Sequence, residues 1–313
     1  MNAPRMPAFD GNIVTRAHVL MFGATVLIAT SFPVGAAITN DLDSLVLTFF
    51  RFAMASLLFA PIVAWRYGLR LPAPRDFSRY GILSACLVAF FWGMFTALQY
   101  TSALNTATIF AMTPVITALV SAVLLKERLG ATALIALPIG LSGAIWVIFR
   151  GDLNALLTLD LGVGDGIFFA ATLMMGFYGP LVKYLHRGEP MAQMTFWTLV
   201  SGALWLFILA APRFSSVSWQ DVPNTVYIGI AYLAVFTTLI TFFVLQWCTS
   251  VISPTKIISY TYLNPILVVI IAIILGGHLP TLATYPGFIL IVTAIYVLQR
   301  DKGDRRSGIP SKA

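Results

Sequence analysis

The stretch Ser102–Arg150, SALNTATIFAMTPVITALVSAVLLKERLGATALIALPIGLSGAIWVIFR, decides the fold. Two apolar runs flank one charged turn, Lys126-Glu127-Arg128, and Pro114 stands in the middle of the first run. A similar stretch returns at Ser253–Asp301, SPTKIISYTYLNPILVVIIAIILGGHLPTLATYPGFILIVTAIYVLQRD. Setting Pro114 on Pro265, a shift of 151 residues, also sets Ser102 on Ser253 and Glu127 on His278. Further back the match continues at a shift of 147. Leu98-Gln99-Tyr100 then meets Leu245-Gln246-Trp247, Thr48-Phe49-Phe50 meets Thr195-Phe196-Trp197, and Pro33 meets Pro180. The chain reads as two copies of one unit, with about four extra residues before helix 9.

Of the 313 residues 59% are hydrophobic and only 10% charged, and the mean hydropathy is +0.88. Soluble domains carry about 25% charged residues, so this chain cannot cover itself with a hydrated surface. Apolar runs of about 20 residues point to membrane-spanning helices, whose backbone bonds are satisfied internally. A β-barrel would instead show alternating strands of about 10 residues, and none is present in the sequence. The net charge of +7 sits mostly in short loops and tails, which speaks for membrane topology and against nucleic acid as a partner. Cys86 and Cys248 lie in or beside apolar runs without metal-ligand spacing, and read as packing residues with no disulfide.

Ten helices are predicted, over 17–38, 45–65, 78–98, 104–125, 132–149, 163–183, 192–211, 223–246, 255–276 and 282–298, and are numbered helix 1 to helix 10 in that order. Residues 1–16 are expected to form a mobile tail, 17–150 the first repeat, 163–299 the second, and 300–313 a second tail. Basic residues gather on one set of loops, with Arg5, Arg16, Arg66, Arg70, Arg75, Arg79, Lys126, Arg128, Lys183 and Arg187. The C-terminal tail adds Arg300, Lys302, Arg305, Arg306 and Lys312, whereas the alternate loops carry Arg150 and Arg213 beside five aspartates. The positive-inside rule therefore puts both termini in the cytoplasm. Five helices per copy is an odd number, so the copies must run in opposite senses across the membrane. This is the inverted-repeat plan of many secondary transporters, with the substrate site near the midplane.

The segments SFPVGAAI (Ser31–Ile38), LTFFRFAMASLL (Leu47–Leu58) and Ala97–Val147 carry a resemblance, with Leu245-Gln246-Trp247 and Asn264-Pro265 repeating it. Over essentially its whole length the chain resembles the EamA-type ten-helix permeases of the drug/metabolite transporter superfamily. Arg51, Tyr100, Pro114 and Glu127-Arg128-Leu129 are the more specific part. Two positions depart from the pattern: Thr30-Ser31 replaces a tryptophan-glycine pair, and His278 replaces the second glutamate. The resemblance implies inner-membrane transport of small metabolites, commonly export, and leaves the substrate open.

Pro114 and Pro265 each remove a backbone bond in mid-span, and the freed carbonyl needs a partner or a cavity. Simple kinked packing is the alternative, but the two prolines are equivalent and flanked by Thr113 and Thr117 in one copy and Asn264 in the other. Arg51 is the basic residue clearly inside a span, with Thr198 at the matching position. It either clamps helix carbonyls, Asp41 or Asp43, or contacts substrate. Trp92, Tyr178 and Tyr262 are the aromatic cavity candidates on depth, whereas Gln99 and Gln246 leave an interfacial role open. Substrate contact is thus expected from Arg51, Trp92, Thr113, Pro114, Tyr178, Tyr262, Asn264 and Pro265. Glu127 is expected to fix its turn by pairing with Lys126 or Arg128, and Lys256 to snorkel to the interface.

No acid/base pair of histidine and carboxylate shares a membrane depth in the sequence, there is no Ser-His arrangement, and no Gly-rich phosphate loop. The expectation is a transporter and not an enzyme, without catalytic residues, cofactor or metal. A channel or scaffold is the alternative, and an intramembrane enzyme a weaker one. No carboxylate sits in mid-span; Asp165, at the start of helix 6, comes nearest, which argues against a carboxylate proton relay. The expected partners are a small-molecule substrate and the lipid bilayer, with monomer and homodimer both open.

Overall fold

The computed structural model describes residues 11–38, 41–101, 103–127, 129–158, 161–276 and 278–300. Ser102, Arg128, Asp160 and most of the two tails lie outside the described residues. Ten helices are long and apolar enough to cross a membrane. Among the described residues there is no strand.

Helix 1 runs Gly11–Ile38, helix 2 Ser44–Tyr67, helix 3 Pro74–Ala97, helix 5 Ala131–Ile148, helix 6 Val163–Leu185 and helix 7 Met191–Ala210. Helix 4 is split into Ala103–Phe110 and Thr113–Leu124. Helix 8 contains a π-helical segment, Val235–Ile240, between Asn224–Ala234 and Thr241–Thr249. Helix 9 passes from Pro254–Ser259 through a 3₁₀ turn, Tyr260–Leu263, into Asn264–Ile274, and helix 10 is Tyr285–Arg300. Helix 1 begins at Gly11, so part of the expected N-terminal tail is helix, because no proline or glycine separates Asn12–Arg16 from the apolar run that follows. A short helix, Leu153–Leu157, was not foreseen; Asp152 caps it by accepting from Asn154 N at 2.9 Å and Ala155 N at 3.2 Å.

The helix contacts follow the inverted repeat. Helix 5 pairs with helix 10, helix 2 with helix 7, and helix 4 with helix 9, each helix against its own copy. Helix 3 packs on helix 6 as helix 8 packs on helix 1, and helix 3 packs on helix 7 as helix 8 packs on helix 2. Every one of these pairs maps onto itself or onto another when the halves are exchanged. The protein is therefore an all-α membrane protein of two inverted five-helix repeats.

Lipid chains give helices no hydrophobic reason to associate, so close packing has to. Helices 5 and 10 cross where Gly143 faces Gly287. A Cβ on Gly143 would lie 3.0 Å from the Gly287 carbonyl and 2.8 Å from Leu290 Cβ; one on Gly287 would lie 2.9 Å from the Gly143 carbonyl. Gly23 of helix 1 has nothing within 4 Å of such a Cβ. Gly143→Val is expected to destabilise the purified protein by about 1–3 kcal/mol, while Gly23→Ala leaves it unchanged. Thermal unfolding in detergent checks both.

The ends of the bundle are closed by charge. At the end rich in basic residues, Arg79 meets Asp76 at 2.7 Å and Glu189 at 3.2 Å, and donates to the Leu185 carbonyl at 2.5 Å. Lys126 takes a left-handed φ of 54°. The turn it makes carries Glu127 to Lys183 of helix 6, 2.9 Å away. The ion pair of Glu127 with Lys183 thus joins helix 4 to helix 6, the left-handed backbone aiming the carboxylate across the bundle; its expected partner Arg128 lies outside the described residues. At the opposite end Asp43 caps helix 2 and pairs with Arg213 at 2.7 Å.

Candidate functional site

Both prolines stand at helix breaks. Pro114 is the second residue of the segment Thr113–Leu124, and Pro265 the second of Asn264–Ile274. Proline cannot donate to the carbonyl four residues back. For Pro114 that carbonyl is Phe110's, and Thr113 Oγ1 donates to it at 2.5 Å. For Pro265 it is Thr261's, which accepts from the backbone N–H of Asn264 in the 3₁₀ turn. The side-chain amide of Asn264 is left over. It is 5% exposed, and neither its oxygen nor its nitrogen has a hydrogen-bond partner among the described residues. Tyr262, two residues earlier and 2% exposed, donates to the Leu137 carbonyl of helix 5 at 3.0 Å, its ring lying against Gly140.

Arg51 reaches from helix 2 to the π-helical segment of helix 8. Its Nε donates to Thr238 Oγ1, and Nη2 donates to the Thr237 carbonyl at 3.0 Å and to Thr237 Oγ1 at 3.2 Å. The guanidinium stands over Phe91 of helix 3, 5.2 Å from the ring centroid. Nη1 makes no hydrogen bond among the described residues. Phe91 and Thr238 are 147 residues apart, which is the shift of the repeat, so they are equivalent positions of helices 3 and 8. A group touching both lies close to the axis that relates the halves. Asp43 is taken by Arg213 and plays no part here.

From Arg51 a line of rings runs toward the basic end: Phe91 to Phe52 at 5.9 Å, Phe52 to Phe242 at 5.9 Å, Phe242 to Tyr178 at 6.3 Å. Tyr178 is 1% exposed, and its hydroxyl accepts from Gln246 Nε2 at 2.9 Å. Gln246 Oε1 in turn accepts from Thr195 Oγ1 at 2.7 Å. Beside Tyr178 lies a cavity of ≈ 10 Å³ lined by Thr117, Met175, Gly179, Thr249, Pro254 and Ile257 among others. That is about the room one water needs. Thr117 Oγ1 faces it, and Ser121 and Thr255 are likewise buried without a partner among the described residues.

The structure gathers Arg51 and Tyr178 along one corridor, and puts Thr113, Pro114, Tyr262, Asn264 and Pro265 at the two helix breaks. Trp92 joins neither group. It remains 47% exposed and makes no ring contact with the corridor, because its neighbour Phe91 takes the face of helix 3 that meets helix 2. Sequence reasoning missed Thr237 and Thr238, the partners of Arg51. Adjacent threonines inside a span were the available signal, since one of the two must point away from lipid. Gln246 is fully buried and not interfacial.

A profile described as the EamA-like transporter family matches residues 15–149 and again 162–300. The chain belongs to that family. The transporter is similar to the uncharacterized transporter YyaM of Bacillus subtilis, 25% identical over 250 residues, with 78% of this chain and 81% of that one covered. An uncharacterized transporter of Archaeoglobus fulgidus is 24% identical over 291 residues, covering 90% of this chain and 97% of its own. A protein of known crystal structure shares the fold with a TM-score of 0.75 at 18% identity, over 91% of this chain and 99% of that one.

Thr238→Val removes the acceptor of Arg51 Nε and should destabilise the transporter by about 1–3 kcal/mol, the cost of a charged donor left without its partner. In an Arg51→Met background the same change should cost nothing. Thermal unfolding of the two single variants and the double variant measures the coupling.

Proposed function

We propose that this multi-pass transporter resides in the inner membrane with both termini cytoplasmic, and exports small amphipathic metabolites that carry a carboxylate. Amino acids or their derivatives are the class intended, carried by alternating access about a midplane cavity. The observation behind the substrate class is Arg51, whose guanidinium lies close to the axis between the halves and keeps Nη1 unbonded among the described residues. A carboxylate meeting a partly desolvated guanidinium forms charge-assisted bonds roughly twice as strong as neutral ones. Phe91 could hold a cation instead, worth about 0.5–2 kcal/mol, but that face is already occupied by Arg51 itself. One guanidinium does not balance a phosphate dianion, which ranks sugar phosphates lower. Export is the direction the family resemblance implies, and the basic loops support cytoplasmic termini.

The test is binding and flux in liposomes for a carboxylate substrate and its amide analogue. The carboxylate is expected to be preferred, and Arg51→Lys to weaken its transport about tenfold or more, because the planar fork is lost while the charge remains. Equal affinity for acid and amide would return Arg51 to a purely structural clamp on helix 8.

Asp165 bears on coupling. It accepts from Thr101 Oγ1 at 2.5 Å and from the Gly162 N–H at 2.7 Å, closing the start of helix 6 onto the turn after helix 3. Such a fixed cap is not a proton carrier. Asp165→Asn should leave the dependence of flux on a proton gradient unchanged, as measured in the same liposomes with and without an imposed pH difference.

A further inference from the structure

An inverted repeat lets one half of a molecule report a conformation open to the other. Toward the basic end three side chains from three helices bond to one another: Thr195 of helix 7, Gln246 of helix 8 and Tyr178 of helix 6. Moving each by the repeat shift of 147 residues gives Thr48 of helix 2, Gln99 just past helix 3, and Ser31 of helix 1. All three pairs fall in segments whose match is visible in the sequence itself. The threonines even share their second bond, Thr195 Oγ1 to the Met191 carbonyl at 2.8 Å and Thr48 Oγ1 to the Ser44 carbonyl at 2.7 Å.

The amides differ. Gln246 is fully buried, with both ends of its amide bonded. Gln99 is exposed in the turn after Ala97, and its side chain makes no hydrogen bond among the described residues. The packing differs in the same sense. The last part of helix 8 and the first part of helix 9 both rest on helix 6. Their matching pairs, helix 3 on helix 1 and helix 4 on helix 1, are at most marginal among the described residues. Among the described residues, the contacts of helix 6 at the basic end are thus closer than the matching contacts of helix 1 at the other.

We infer that Gln99 is the working counterpart of Gln246. When the basic end opens, Gln246 leaves Thr195 and Tyr178, and Gln99 folds in against Thr48 and the Ser31 region of helix 1 to shut the opposite end. Burying an amide is costly unless it is bonded. A threonine hydroxyl waiting at each end lets either closure bury its amide with a partner, so that the two states stay near balance, as cycling requires. Ser31 is shorter than Tyr178, so Thr48 is the bond the register demands, and helices 1 and 3 must approach closely for the other. Both glutamines are positioning residues: they set which end is shut. The inference rests on the alternating-access part of the proposed function and not on the substrate.

The experiment needs no substrate. In a Cys86→Ala, Cys248→Ala background, Thr249→Cys puts a thiol at a buried position lining the small cavity of the basic end. Its reaction rate with a bulky hydrophilic maleimide, in purified protein, reads the opening of that end. Gln246→Ala is expected to raise the rate about tenfold, the consequence of losing a buried bonded amide. Adding Gln99→Ala should bring the rate back toward the parent, because the opposite closure then loses its own amide. Thr48→Val should act as Gln99→Ala does and add nothing to it. Should Gln246→Ala fail to fold, Tyr178→Phe releases the same amide. A rate raised by Gln246→Ala but unaffected by Gln99→Ala would overturn the pairing alone, since mere loosening at one end is not reversed from the other. A rate that stays slow in every variant, while the same thiol reacts readily in the denatured protein, would overturn alternating access together with it.

Discussion

In hydrocarbon an unbonded peptide group costs several kcal/mol, so a membrane helix departs from regular geometry only where something else takes up the freed groups. Among the described residues three interruptions of the α-helical pattern stand inside the spans: before Pro114, before Pro265, and in the π-helical segment Val235–Ile240. Each departure is met locally. Thr113 bonds the Phe110 carbonyl, the N–H of Asn264 bonds that of Thr261, and Arg51 bonds that of Thr237. The third differs in kind, because its donor comes from another helix and is charged. Helix 8 and helix 2 therefore hold one another in place, and the guanidinium that does this is the same group that supports the substrate reading.

The charges divide by depth accordingly. Among the described residues all the ion pairs sit at helix ends: Asp43–Arg213 is partly exposed, so water screens it and it is worth little alone, whereas Arg79 and Glu127 are buried there among their partners. Their effect is to fix which helices meet at each end of the bundle. Arg51 makes no ion pair among the described residues, and its bonds go to neutral oxygens and an aromatic face. Such partners make the guanidinium tolerable without cancelling its charge, which leaves a positive site that an anion could still complete.

Much of this was legible in the sequence because the membrane simplifies the physics. Run length gives the helices, basic loops give an orientation, and two prolines at one register give the breaks. The side-chain placements were less legible. Whether Trp92 or Phe91 faces inward depends on helix rotation, which hydrophobic periodicity cannot fix when both lipid and core are apolar. The partner of Glu127 could not be read either, since a left-handed Lys126 is invisible in sequence and sends the carboxylate to helix 6. The π-helical segment leaves no mark at all beyond two adjacent threonines.

The two copies share a fold but not a chemistry, and they differ also near the axis. Arg51 corresponds to Thr198, Phe91 to Thr238, and Ser31 to Tyr178. A symmetric pair of arginines would have set two like charges against each other near the axis, at a cost of several kcal/mol in a poorly screened interior. Keeping one arginine and giving its mate's place to a threonine, which turns back to bond the Met194 carbonyl at 2.7 Å, removes that repulsion. The aromatic face falls to helix 3 and the hydroxyls to helix 8, so the guanidinium has a distinct partner on each side. Near the axis, then, the halves are complementary instead of equal. The backbone keeps the near-symmetry of the two halves, while the side chains near the axis break it.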